Sequence, residues 1–154
     1  KIYLDNNQIL FKNNDIELIS RLIDGVYPDY EPIIPKQIET ELVVNRDHFI
    51  NSVKLVNNFS GKTYDIRLVV RDDQKVLDVY SVNQFLGENN YLIPAKVKGS
   101  NFQDVAFNWR YLLDGLKVIG EENLFFGING NNKPAVVKPL DDKSYFYILM
   151  PIRI

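Results

Sequence analysis

The sequence contains no cysteine, one histidine, one methionine and one tryptophan in 154 residues. Without cysteine there is no disulfide, no thiolate metal site and no cysteine nucleophile, and the composition fits a reducing compartment. His48 is the single histidine; an imidazole metal site needs three or four converging ligands, so His48 reads as a solvated or structural residue and no metal is expected. No apolar run approaches membrane length and no signal peptide is present in this stretch. The net charge of −2 gives no global attraction to nucleic acid, so any such contact must come from a local patch. The 45% hydrophobic and 25% charged content is that of an ordinary globular chain, long enough for one well-buried domain or for one domain plus a piece of a neighbour. The chain opens at Lys1 directly in strand-like sequence and reads as an excised piece of a longer protein.

Against these absences stands a repetition. Glu41 to Val56 reads ELVVNRDHFINSVKLV, and Asp104 to Ile119, 63 positions later and without a gap, reads DVAFNWRYLLDGLKVI. Phe49, Ile50, Val53 and Val56 recur as Leu112, Leu113, Leu116 and Ile119, and an asparagine precedes each helical run, Asn45 and Asn108. A short strand, a capping asparagine and an amphipathic helix thus occur twice, which implies an internally pseudo-symmetric domain. Convergence of two amphipathic helices on one pattern is the alternative.

Three short β-like runs, KIYL, QILF and IELIS, occupy Lys1 to Leu22, separated by Asn and Asp turn residues. VYPDYEPIIPK follows, and its three prolines predict a stiff extended connector. A domain boundary is placed there: residues 1–36 as the end of one domain with its connector, and residues 37–154 as the duplicated domain. After the first helix, DIRLVVR puts Ile66, Leu68 and Val70 on one face, and the RDDQ turn into KVLDVYSV predicts a hairpin. After the second helix come NLFFGI, the GNNKP turn, AVVKPL, the LDDKS turn and YFYILMPIRI. Each copy therefore reads as strand, helix and several antiparallel strands. The fold class that follows is α+β, with two helices laid on antiparallel sheet.

Signals for catalysis are weak. Asp72-Asp73 and Asp141-Asp142 invite an acid/base reading, but both pairs lie between strands, where aspartate is an ordinary turn former. GINGNNKP neither opens a helix nor carries the ending of a phosphate loop. Ser52, Ser60, Ser81, Ser100 and Ser144 lack the context of an activated nucleophile. No catalytic residue and no cofactor are expected. On the helices, Asp47, Asn51, Lys54 and Asn58 point away from the sheet, as do Arg110, Asp114 and Lys117, with Arg46 flanking them. This mixed stripe is either a plain solvated surface or a loose contact for phosphate, which needs a few cations and no base-reading groups.

The motifs carry a resemblance. VYPDYEPIIPK resembles the connector between the second and third domains of the bacterial sliding clamp family, the β subunits of DNA polymerase III. FNWRYLLDGLK resembles that family's FN-x-RYLLDALK helix start, and KPAVVKPLDDKSYFYILMPIRI resembles its closing strands. The three motifs stand in order and cover essentially the whole chain, so residues 1–36 would be the end of the middle domain and 37–154 the third domain of a DNA-clamp fold. Pro32 stands where many members have a basic residue, and GENNYLIP has asparagines where they tend to be acidic.

The resemblance implies a non-catalytic, cytoplasmic processivity factor: a head-to-tail homodimeric ring around duplex DNA that tethers the DNA polymerase III α subunit, the clamp loader and other proteins with a clamp-binding motif. Arg46, Lys54, Arg110 and Lys117 would face the DNA. A partner-peptide pocket would be formed by Pro28, Ile33, Asn108, Tyr111, Pro134, Ile148, Leu149, Met150, Pro151, Ile152 and Arg153. Its branched apolar side chains and thioether would adapt to a ligand that Asn and Tyr orient; alternatively, Ile148, Leu149 and Met150 belong to a plain core strand. The expectation is that this piece folds, closes no ring, and binds partner peptides more weakly than an intact clamp. The rival readings are a protein-interaction module unrelated to DNA, using a strand edge or the same pocket, and a hydrolase using Asp72 or Asp141.

Overall fold

A computed structural model describes residues 1–71, 75–99 and 104–153. The chain divides into two compact units, Lys1–Tyr30 and Glu31–Ile154. The first is an antiparallel meander of β1 (Ile2–Leu4), β2 (Gln8–Lys12) and β3 (Glu17–Arg21). Its turns are built as the Asn/Asp chemistry predicts: the Asn13 side chain accepts from the Asp15 N–H at 2.8 Å.

The second unit begins with a short 3-10 turn, Glu31–Ile33, inside the proline-rich segment. The first repeat follows as β4 (Thr40–Asn45), α1 (Arg46–Val56), β5 (Asp65–Arg71), β6 (Val76–Asn83) and β7 (Gly87–Gly99). The second is β8 (Val105–Asn108), α2 (Trp109–Val118), β9 (Asn123–Ile128), β10 (Ala135–Pro139) and β11 (Tyr147–Leu149). Strand–helix–three strands therefore occurs twice, as the repetition predicts. Each helix starts where its asparagine cap requires: Asn45 Oδ1 accepts from the His48 N–H and Asn108 Oδ1 from the Arg110 N–H, both at 3.0 Å.

The copies exchange their first strands. In the eight-stranded order β11-β10-β9-β4-β7-β6-β5-β8, β4 lies against β9 of the other copy and β8 against β5 of the other copy. Beyond β11, the Ile152 N–H donates to the Ala106 carbonyl at 2.8 Å in an antiparallel bridge, tying the chain end to β8 and closing the circuit. Position 106 corresponds through the repeat to Val43, which pairs with Lys96 of β7. Two segments thus switch neighbours in the same way. Gly87–Pro94 pairs with β6 before Ala95–Gly99 pairs with β4, and Tyr147–Leu149 pairs with β10 before Ile152 meets β8. A proline, Pro94 or Pro151, stands at each switch, where a ladder donor is dispensable. This is also why YFYILMPIRI, which reads as one strand, pairs continuously only over Tyr147–Leu149.

Both helices pack on the sheet and touch each other. Phe49, Val53 and Val56 of α1, and Leu112, Leu113 and Leu116 of α2 with Ile119 just beyond it, are buried, as are Ile66, Leu68 and Val70 of β5. Phe126 of β9 joins the copies, its ring centroid 5.8 Å from Phe49 and 5.6 Å from Phe107. Two joints tie the start of each helix to the segment that follows the other. The Arg46 N–H donates to the Glu122 carbonyl at 2.8 Å, and its repeat counterpart Trp109 donates from N–H to the Tyr64 carbonyl at 2.9 Å.

Candidate DNA-facing surface and peptide pocket

The outward helix face is as the periodicity predicts: Asp47, Asn51, Lys54 and Asn58 on α1 and its trailing turn, and Arg110, Asp114 and Lys117 on α2, are all exposed. The cations on it are not equivalent. Arg46 is half-buried, with Nη1 donating to the Ile119 carbonyl at 2.6 Å and Nη2 to Asp47 Oδ1 at 2.7 Å. The first of these bonds ties the start of α1 to the end of α2, while Nη2, together with Nε, stays on the neighbouring Asp47. Trp109, at the corresponding position, does the same with its indole, whose Nε1 donates to Ser60 Oγ at 3.1 Å. Arg110 instead lies over the Tyr64 ring, its guanidinium carbon 3.8 Å from the centroid. Lys54 and Lys117 extend from the last turns of their helices, where cations complement the carbonyl ends.

Of the residues predicted to form a pocket, β8, β10 and β11 gather several. The Ala135–Leu149 pairing sets Pro134 and Met150 next in register, and the Ala106–Ile152 bridge places Ile152 two residues from Asn108 along β8. Leu149 is buried and Ile148, Pro151 and Ile152 are half-buried, whereas Met150 is 56% and Tyr111 61% exposed. The core-strand reading therefore holds for Leu149 and fails for Met150. Asn108 spends its carbonyl oxygen on the helix cap. Ile33 and Arg153 are exposed and Pro134 is half-buried. Pro28 belongs to the Lys1–Tyr30 unit, where it is exposed.

A cavity of about 570 Å³ adjoins this end of the sheet, lined by Arg67, Asp104, Ala106, Asn131, Asn132, Ile152 and Arg153. Sequence reasoning found only the last two. Arg67 Nη1 donates to Asp104 Oδ2 at 2.8 Å. Burial pushes the Tyr80 phenol up, reinforced by its hydrogen bond to Asp104. The only signal for this cluster was the alternation DIRLVVR, which puts Arg67 opposite the core residues of β5.

Several of the aspartates and serines read as structural bond local backbone or side chains. Asp142 accepts from Ser144 N–H and Oγ at 2.8 and 2.9 Å, which holds its carboxyl below the usual range. Ser52 Oγ donates to the Phe49 carbonyl and Ser81 Oγ to that of Asp65. Asp72, Asp73 and Ser100 lie outside the described residues. Among the described residues no group of three His, Asp or Glu side chains could hold a metal, and no helix is long and apolar enough to cross a membrane.

Two supports were not foreseen. Buried Asn129 accepts from the Glu39 N–H at 2.8 Å, fastening the β9–β10 turn to the chain entering β4. Half-buried Glu121 accepts backbone N–H bonds from Leu140 at 2.8 Å and from Asp142 at 3.0 Å. The bond from Asp142, followed by those from Leu140 and Asp141, holds the Glu121 carboxyl below its ordinary value of 4.5. A depressed carboxyl stabilises the fold above its unfolded value, and this contribution disappears as pH falls through the depressed one. The Glu121→Gln variant should therefore show faster amide exchange at Leu140 and Asp142 at neutral pH, and the wild type should approach the variant's behaviour only well below pH 4.5.

Known proteins resemble this chain in sequence and in fold. Residues 31–153 match the family described as DNA polymerase III beta subunit, C-terminal domain. The chain is similar to the beta sliding clamps of Synechococcus elongatus, 29% identical over 99% of this chain and 41% of the relative, and Staphylococcus aureus, 30% identical over 99% and 40%. Among solved structures it resembles the DNA polymerase III subunit beta of Pseudomonas aeruginosa, with a TM-score of 0.89 at 28% identity, covering 99% of this chain and 42% of that one. It also resembles a sliding clamp of Bartonella birtlesii bound to griselimycin, with a TM-score of 0.89 at 27% identity over 99% and 41%. The chain thus spans about two fifths of the length of the relatives it matches.

Proposed function

The chain belongs to the DNA polymerase III β-subunit family, whose C-terminal domain its residues 31–153 match, and on that premise we propose that it is the C-terminal part of a sliding clamp. The clamp is a replication processivity factor that encircles duplex DNA and holds a polymerase to it. The observation that carries this reading is the pair of neighbouring helices packed on a duplicated sheet, presenting exposed Lys54, Arg110 and Lys117 among carboxylates and amides. A few such cations attract phosphate, and the interspersed Asp47 and Asp114 keep the attraction weak; contact of this kind needs no base readout, which suits sliding. Lys54, Arg110 and Lys117 are the cations best placed for the role, with Arg46 contributing charge beside its structural bonds.

The ring is a homodimer in this reading. The β6–β7 hairpin suits an interface with the neighbouring protomer: Gly87–Pro94 pairs with β6 along one edge, and Phe85 beside it is 93% exposed. The protein acts in the cytoplasm without catalysis or cofactor, and its partners are duplex DNA, the polymerase III α subunit, the clamp loader and other proteins carrying a clamp-binding motif. They dock at Asn108, Tyr111, Pro134 and Ile148 to Arg153, with Ile33 supplied by the connector. Domain limits of 1–36 and 37–154 accompany this reading, while the compact units themselves divide after Tyr30.

Fluorescence anisotropy of a labelled Gln-Leu-x-Leu-Phe peptide tests the pocket. Saturable binding is expected for the wild type, with affinity at least about tenfold lower in a Met150→Ala, Pro151→Ala double variant, since buried anchor contacts dominate such interfaces. Equal binding by both proteins would place the pocket elsewhere.

A further inference from the structure

Among the described residues Tyr64 is the only non-glycine with a positive φ, 55°. An aromatic residue in the left-handed region is strained and persists only where its surroundings hold it there. Here both backbone groups are fixed: the Tyr64 N–H donates to the Gly61 carbonyl at 3.1 Å, and its carbonyl accepts from the Trp109 N–H at 2.9 Å. The ring, 39% exposed, meets Trp109 edge to face with centroids 6.3 Å apart. Its face lies under the Arg110 guanidinium at 3.8 Å, with the Trp109 ring 5.2 Å from the same group.

The duplication supplies an internal control. At the corresponding joint the Arg46 N–H donates to the Glu122 carbonyl, and Glu122 has no positive φ. The position matching Arg110 is Asp47, which bonds its neighbour Arg46. Joining a helix start to the far loop therefore needs neither a left-handed residue nor an aromatic one. What the strained copy has and the relaxed copy lacks is a stacked cation.

We infer that Tyr64 is a positioning residue for DNA contact: its strained backbone brings the ring under Arg110 and holds the guanidinium ready on the outward helix face. Stacking occupies the flat face of the guanidinium and leaves its in-plane N–H donors available for phosphate oxygens, so one group can be held and still bind. A side chain ordered beforehand also loses less rotamer freedom on contact. The inference rests on the reading that this face meets DNA.

The experiment compares wild type, Arg110→Ala, Tyr64→Phe and Tyr64→Gly for binding a labelled duplex of about 20 base pairs at low salt, together with Tm. Arg110→Ala should bind about threefold more weakly, and Tyr64→Gly should lose a similar factor, as expected for one exposed stacked cation. Tyr64→Phe should bind like wild type, because it keeps the ring. Tyr64→Gly should keep a Tm within about 3 °C of wild type, since a glycine that relieves the left-handed backbone offsets the lost packing. Reduced binding by Arg110→Ala with wild-type binding by Tyr64→Gly would overturn the positioning role. A steep fall in Tm for Tyr64→Gly, with binding restored wherever the protein is folded, would make Tyr64 merely structural. Unchanged binding by Arg110→Ala, or no binding by wild type, would remove the DNA-facing reading beneath it.

Discussion

Replacing Phe126 with alanine should destabilise the Glu31–Ile154 unit by about 3–5 kcal/mol, the range for a large aromatic removed from a packed core. That is a large fraction of the 5–15 kcal/mol typical of a domain. The cost should be at the high end because Phe126 is fully buried and contacts Phe49 of the first copy and Phe107 of the second. Neither side can close over the gap without shifting a strand or helix of its own copy. Denaturant titration followed by tryptophan fluorescence and by far-UV circular dichroism should show the two signals falling together, since the copies share one core. The adjacent Phe125, half-buried on the other face beneath Lys138, should cost only about 1 kcal/mol when truncated. Equal effects at the two positions would contradict the assignment of Phe126 as the joint between the copies.

Gly115→Ala is the second large effect, and two principles give it opposite signs. Helix propensity favours alanine over glycine by about 1 kcal/mol within a helix. Packing opposes it, because a Cβ at Gly115 would lie 2.4 Å from Cδ1 and 2.8 Å from Cγ of Tyr147. These atoms sit at the root of the ring, and Tyr147 is held in β11 by pairing with Val137. The side chain cannot swing clear without moving the strand. Overpacking of this kind costs about 1–3 kcal/mol, so destabilisation should win. The displaced strand carries Ile148 and Leu149 and leads into Met150, so peptide affinity should fall along with stability. A variant as stable as wild type would show that β11 yields easily.

Much of the fold was legible because the repetition and the helix period are properties of side-chain spacing. Asn45 and Asn108 mark both helix starts, and the apolar positions of each helix alternate with the exposed stripe as the sequence requires. The exchange of first strands was not legible, since strand order depends on contacts far apart in the chain. Nor was the full extent of β7, whose Pro94 reads as an interruption and stands instead at a change of partner. Of the surface, Lys54, Arg110 and Lys117 were legible from period alone. The structural employment of Arg46 was hidden because it depends on the far end of the other helix. The left-handed Tyr64 was hidden because nothing in a tyrosine announces that conformation. Asp104 and Arg67 lie far apart in sequence and meet only through the β5–β8 pairing.

On the proposed reading the paired helix face, not the strand surface, meets duplex DNA. Titration of isotope-labelled protein with a short duplex at low salt, followed by amide and side-chain NMR shifts, tests it most directly. Perturbations should cluster at Lys54, Arg110 and Lys117 and vanish as salt is raised, because the attraction is to phosphate. Perturbations centred instead on exposed strand cations such as Lys96, Lys98 and Lys138 would overturn that assignment.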